Sequence, residues 1–209
     1  LFKSKNFCIC MVIASLSWMT FFGVLNYNTI IYFEDIKGYS AIIVACCFLT
    51  QPIVGIIVNL FAGLTMHIIP GKVLISVGCM GFFGATIIWA TMTADRNYFM
   101  GPFWGFILLT IGADLVYNCS NRVTLSAREK HLQSRGAWTF NTIIQLSSAV
   151  GLGLNSTIFM STYCNCGTSL QNDDLSSLLI GIECTYYFGI AITDFSFMLS
   201  LFLKVGVVG

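Results

Sequence analysis

Long apolar stretches separated by short polar connectors recur six times along this chain. The runs cover 7–32, 40–66, 73–93, 99–121, 136–160 and 178–203. An α-helix rising ~1.5 Å per residue needs about 20 residues to cross a bilayer core of ~30 Å, and each run is long enough. Charges, Gly or Pro stand beside most run ends, where helix boundaries are expected. A transmembrane barrel would show alternating strands of about ten residues instead, and the sequence has none. Backbone groups in lipid must bond internally, so the pattern predicts six transmembrane helices. The connectors are too short for a soluble domain. Residues 1–209 therefore read as one all-α membrane bundle.

Composition agrees with the pattern. Apolar residues make up 56% and charged residues only 9% of the 209, against about 25% charged in soluble domains. That is too little charge to cover a water-facing surface, and the expected surroundings are a lipid bilayer. The formal net charge is +1, which suggests no nucleic-acid or acidic partner.

The basic residues set an orientation. With a cytoplasmic N-terminus, Lys3, Lys5, Lys72, Arg122, Arg128, Lys130, Arg135 and Lys204 fall inside, and only Lys37 and Arg96 outside. Glu34, Asp35, Asp95, Asp173 and Asp174 lean outward, and Glu129 inward. An even helix count then puts both termini in the cytoplasm. The chain begins at Leu1 rather than Met, and its first run exceeds a signal-peptide core. The expectation is a fragment with no cleavable leader.

Most cysteines (Cys8, Cys10, Cys46, Cys47, Cys79 and Cys119) sit in apolar runs and read as small apolar fillers. Cys164, Cys166 and Cys184 lie at the outer side, where a disulfide is an open alternative. No Cys and His spacing suggests zinc, and no cofactor is expected. Glycosylation sequons at Asn118 and Asn155 fall at membrane depth or near the inner face, so neither is expected to be used.

Three carboxylates fall inside runs, where charge is expensive and by default suggests function. Glu183 reads as a boundary residue near the outer end of the sixth helix. Asp194 lies deeper, either paired with a neighbour or mechanistic. Asp114 has company: Thr110, Asp114, Tyr117 and Asn118 recur at three and four, on one face of the fourth helix. Such a stripe needs a wet cavity or polar partners. A carboxylate removed from water can exchange protons near neutral pH, and a helix-to-helix hydrogen bond is the structural alternative.

The fifth helix carries Asn141, Gln145, Ser148 and Asn155 at four, three and seven, again read as one face. Asn141 and Gln145 are candidates for ligand contact or for interhelical hydrogen bonding. Ser147, Ser148, Ala149, Gly151 and Gly153 are small and suit close helix packing. Asn26, Tyr27, Asn28 and Thr29 form a polar cluster toward the outer end of the first helix, at the interface or near a ligand. Gly101, Pro102 and Gly105, with Gly78, Gly81 and Gly84, read as packing positions.

Three segments carry a family resemblance: GADLVYNCSNRVTLS at 112–126, QSRGAWTFNTIIQLSSAVGLG at 133–153, and GVLNYNTIIYFEDIKGYS at 23–40. They resemble the C-terminal half of fungal drug:proton antiporters of the major facilitator superfamily, in particular the yeast aminotriazole and boron resistance exporters. The likeness spans about 1–160 and is weaker in the last helix. Asn118 replaces a usual Pro, Glu129 a cytoplasmic Pro and Ser134 a Gly, and 67–72 departs from the family's basic loop.

The resemblance implies a six-helix bundle that faces an N-terminal bundle of six or eight helices across a central cavity. The first and fourth helices would line that cavity, with the sixth peripheral. It further implies proton-coupled export of a drug or toxic solute across the plasma membrane or, alternatively, the vacuolar membrane. Asp114, supported by Thr110, Tyr117, Asn141 and Gln145, would exchange the proton or contact substrate, with Asn26 and Tyr27 as further candidates. The alternatives are a non-transporting membrane protein or transporter remnant, and more remotely an intramembrane aspartyl protease. For the protease no partner motif accompanies the Gly-Ala-Asp at 112–114, and an enzyme is not expected.

Overall fold

A computed structural model of the chain describes residues 5–93, 97–126, 133–169 and 174–203. Among these residues there is no strand, and six helices are long and apolar enough to cross a membrane. We label them α1 (Lys5 to Ile36), α2 (Ala41–Thr65), α3 (Gly71–Ala90), α4 (Pro102–Ser126), α5 (Gln133–Ser169) and α6 (Asp174–Leu201). The first is composite: α-helix over Lys5–Trp18, π-helix over Met19–Asn26, α-helix over Tyr27–Ile31 and π-helix over Tyr32–Ile36. The wider π turn frees carbonyls for side chains, and Asn26 Nδ2 donates to Phe21 O at 2.9 Å.

Several ends differ from the apolar runs. Helix α5 passes 136–160 at both ends, α6 starts before 178, and α1 continues past 32. Helix α4 starts at Pro102 rather than 99 and ends at Ser126 rather than 121, behind a separate 3₁₀ turn at Tyr98–Met100. Hydropathy marks where lipid requires apolar residues, but a helix continues until something stops it. Gly38, with φ +65°, makes the turn after α1. Pro102 starts α4 because its missing N–H is an orphan there anyway.

Many Ser and Thr hydroxyls within the helices bond to their own backbone, which meets their hydrogen-bonding need in lipid. Thr20, Thr110 and Thr124 each donate to the carbonyl four residues back, at 3.1, 2.8 and 2.8 Å.

Glycines set the closest helix contacts. A Cβ on Gly112 of α4 would lie 2.8 Å from Gly78 O of α3, so these helices meet backbone to backbone. A Cβ on Gly105 would lie 2.7 Å from Trp89 Nε1. Helices α1 and α5 cross at Gly23 and Gly151 in the same way. Helix α6 packs on α3, α5 and α1, whereas α2 rests mainly on α4. The apolar windows of α2 and α5 are only 6% and 17% buried, against 39–56% for the other four. The bundle therefore leaves two helices largely uncovered.

Candidate functional site

Asp114 stands near the middle of the Pro102–Thr124 span. It opens onto a recess of about 700 Å³ lined by Trp18 and Phe21 of α1, Gln51, Gly55 and Asn59 of α2, and Thr110 and Ala113 of α4. Gly55 lets α2 come down over the carboxylate: a Cβ there would lie 3.2 Å from Asp114 Oδ2. That oxygen is buried and has no hydrogen-bond partner. Just beside it, Asn118 Nδ2 donates to Asn59 Oδ1 at 2.6 Å and to the Asp114 carbonyl at 2.8 Å. Asn59 Nδ2 donates in turn to Gly55 O at 2.8 Å. The Thr110 proton goes to Phe106 O, so toward the recess this hydroxyl can only accept. No Lys, Arg or His is among the described residues lining the recess. A carboxyl so placed can gain or lose its proton without breaking an ion pair.

A second recess, about 430 Å³, lies on the other flank of α1 against α5. Phe22, Asn26, Tyr27 and Ile30 line it from α1, and Gln145, Ser148, Ala149 and Leu152 from α5. Asn26 links the two sides, since Gln51 Nε2 donates to Asn26 Oδ1 at 2.9 Å.

The candidate residues thus divide among three places. Thr110 shares the Asp114 recess, while Asn26, Tyr27 and Gln145 share the other. Tyr117 and Asn141 line neither; the Tyr117 hydroxyl donates to Asn141 Oδ1 at 3.2 Å, and its ring packs on Trp18 and Phe140 at centroid distances of 5.2 and 5.5 Å. The fifth-helix stripe also divides. Asn155 is fully buried and pairs with Asn28 of α1, whereas Asn141 and Gln145 are exposed. Asn155 lies about three to four turns beyond them along α5 and sits where α1 packs against it.

Glu183 is exposed, accepts from the Tyr187 hydroxyl at 3.1 Å, and lies beside Tyr32, Trp89 and Tyr186 in a smaller cleft. Asp194 is exposed on α6. Cys184 is a free thiol, which removes it from the disulfide alternative; the Cys166 side chain lies outside the described residues.

Sequence reasoning missed Gln51 and Asn59, because they carry no charge and lie in the apolar run 40–66. The signal was present: Gln51, Gly55 and Asn59 recur every four residues, a narrow polar and small face on one side of the helix.

Six helices long and apolar enough to cross a membrane make this a multi-pass membrane protein. Among the proteins it resembles in sequence are transporters of the major facilitator superfamily. One is a multidrug transporter of that superfamily from Aspergillus fumigatus, 30% identical over 51% of the chain and 20% of that protein. Another is MFS-type transporter 1 of Pyricularia oryzae, 25% identical over 66% of the chain and 22% of its own length. The aminotriazole resistance protein of Saccharomyces cerevisiae is 22% identical over 95% of the chain and 35% of its length. The chain thus spans about a fifth to a third of these relatives. No family model matches it.

Proposed function

We propose that this chain is the C-terminal bundle of a two-bundle major facilitator exporter, which couples outward movement of a small molecule to proton uptake through Asp114. The observation that carries the reading is the carboxyl near mid-span, with one buried unpartnered oxygen and only amide, hydroxyl and apolar neighbours. A charge at this depth persists only if paired, wet or neutralised by a proton. The relatives' names support transport, and those of two relatives support drug or toxic-solute resistance. The uncovered faces of α2 and α5 support an N-terminal bundle as partner within the same transporter. Both termini are cytoplasmic in this reading, and the membrane is the plasma membrane.

The test is efflux of aminotriazole from intact cells expressing the whole two-bundle transporter, followed as external pH is varied. Asp114→Asn keeps shape and hydrogen bonding but cannot carry a proton. It is expected to insert normally yet lose the pH-dependent part of efflux. Wild-type efflux with an unchanged pH profile would make Asp114 a packing residue.

A further inference from the structure

We infer that the outward face of α6 is a docking surface for a transmembrane helix of another protein, one that carries a Lys or Arg inside its span. The inference goes beyond the transport reading and does not depend on Asp114.

Helix α6 has two polar faces of opposite character. Its inward hydroxyls meet hydroxyls of α3: the side-chain oxygens of Ser76 and Ser200 lie 3.1 Å apart, and those of Thr86 and Thr193 3.4 Å apart. The other face is uncovered. Glu183, Tyr187, Ala191, Asp194, Met198 and Leu201 are all exposed. At about 100° of turn per residue they fall within an arc of about 80°. On the neighbouring α3 the exposed large side chains are Val73, Val77, Met80 and Ile87, as lipid favours. On α6 two of the six exposed positions are carboxylates.

Asp194 is the harder of the two to place in lipid. It makes no hydrogen bond or ion pair among the described residues. It stands seven residues inside the end of its span at Leu201, which is about 10 Å of helix. A short Asp side chain cannot snorkel that far, as a Lys or Arg could. A carboxylate at membrane depth is held by a partner or by water within protein, and the outward face supplies neither. A proton would not settle the matter, because the acid O–H would then be a donor without an acceptor. Glu183 has more support, since it stands toward the outer end and accepts from the Tyr187 hydroxyl at 3.1 Å.

The charge selects the partner. A helix with a cation at the depth of Asp194 pairs with it, and Ala191, one turn away, lets the two backbones come close. A second copy of this chain cannot supply that cation. The basic residues in its described spans are Lys72, Arg122 and Arg135, each within two residues of a span end. Two copies joined through α6 would instead set Asp194 against Asp194. The N-terminal bundle proposed above has α2 and α5 to cover, and these are the least buried spans.

The experiment is photo-crosslinking in liposomes that hold the whole transporter. The photoreactive residue p-benzoylphenylalanine replaces Met198 on the outward face of α6, or Met80 on the exposed face of α3 as the control. The probes are two biotinylated synthetic helices of Leu and Ala, identical except that one has an Arg seven residues from one end of its span. The Arg helix is expected to cross-link severalfold more than the Arg-free helix at position 198, and no more than it at position 80. Asp194→Asn should bring the Arg helix down to the Arg-free level at 198 without moving the unfolding midpoint, because Asp194 touches no other helix. Equal yields from the two helices at 198, equal preference at 80, or a preference that survives Asp194→Asn overturns the inference. In intact cells, the adduct at 198 is expected to contain a peptide from another membrane protein with a Lys or Arg inside a span. An adduct with the transporter's own N-terminal bundle, with a second copy, or with lipid alone overturns it as well. Efflux plays no part in these readouts, so their failure leaves the proton reading untouched.

Discussion

At the scale of single residues, the most consequential polar contact lies outside both recesses. Asn28 and Asn155 exchange two hydrogen bonds of 3.1 Å, and Asn28 Nδ2 also donates to Thr185 Oγ1 at 2.6 Å. All three residues are fully buried, and they tie α1, α5 and α6 together. An interhelical hydrogen bond in a membrane is worth about 0.6 kcal/mol on average, but an orphaned buried amide costs about 1–3 kcal/mol. The orphan term dominates. Asn155→Leu alone is therefore expected to destabilise by about 1–3 kcal/mol, measured by thermal unfolding of the purified protein in detergent. The double variant Asn28→Leu, Asn155→Leu should lose less than the sum of the singles, because neither amide is left behind. Additive losses would mean that the pair is not coupled. Nothing in the sequence distinguished these asparagines from Asn26 or Asn141, which share their helices. Their role depends on which helix each one faces.

At the scale of elements, α1 stands out. Its two π stretches flank a short α segment, and it forms one wall of both recesses. It is held where Gly23 meets Gly151: a Cβ on Gly151 would lie 2.6 Å from the backbone Met19 O. Backbone atoms cannot swing aside as a side-chain tip can, so even one methyl must push the helices apart. Gly151→Ala is expected to cost about 1–3 kcal/mol as overpacking and to widen the α1/α5 recess. Its readouts are the unfolding midpoint and faster maleimide labelling of Ser148→Cys. In contrast, Gly153→Ala, two residues on, has nothing within 4 Å to meet and should be silent on both. The small residues of α5 were legible as a packing surface, but which of them touches α1 was not. The π turns left no mark in the hydropathy pattern either, since they change hydrogen-bond register without changing residue type.

At the scale of the whole molecule, orientation and the uncovered helices are the open structural consequences. Eight of the ten basic residues fall on one side of the membrane in the topology proposed. Lys130 and Asp173 test it, although both lie outside the described residues. In intact cells, an impermeant thiol reagent should reach Asp173→Cys and not Lys130→Cys. Labelling of position 130 from outside would reverse the topology. Exposed Ile56, Leu60, Phe61 and Leu64 leave α2 with a broad apolar flank beside the Asp114 recess, where a partner bundle would complete the cavity.

The number of helices, their approximate limits and their lipid surroundings were determined by the sequence alone. Those properties depend on local hydropathy and on backbone hydrogen bonds that close within each segment. Asp114 was legible too, because a carboxylate in an apolar run is conspicuous whatever surrounds it. Tertiary structure decided which residues face it. Periodicity places side chains around their own helix but carries no information about which neighbour lies opposite. Hence Gln51 and Asn59 arrived from α2 unannounced, and Gln145 went to a different recess. Asn155, read as sharing a face with Gln145, is buried where Asn28 exchanges two hydrogen bonds with it, and Asn28 in turn donates to Thr185.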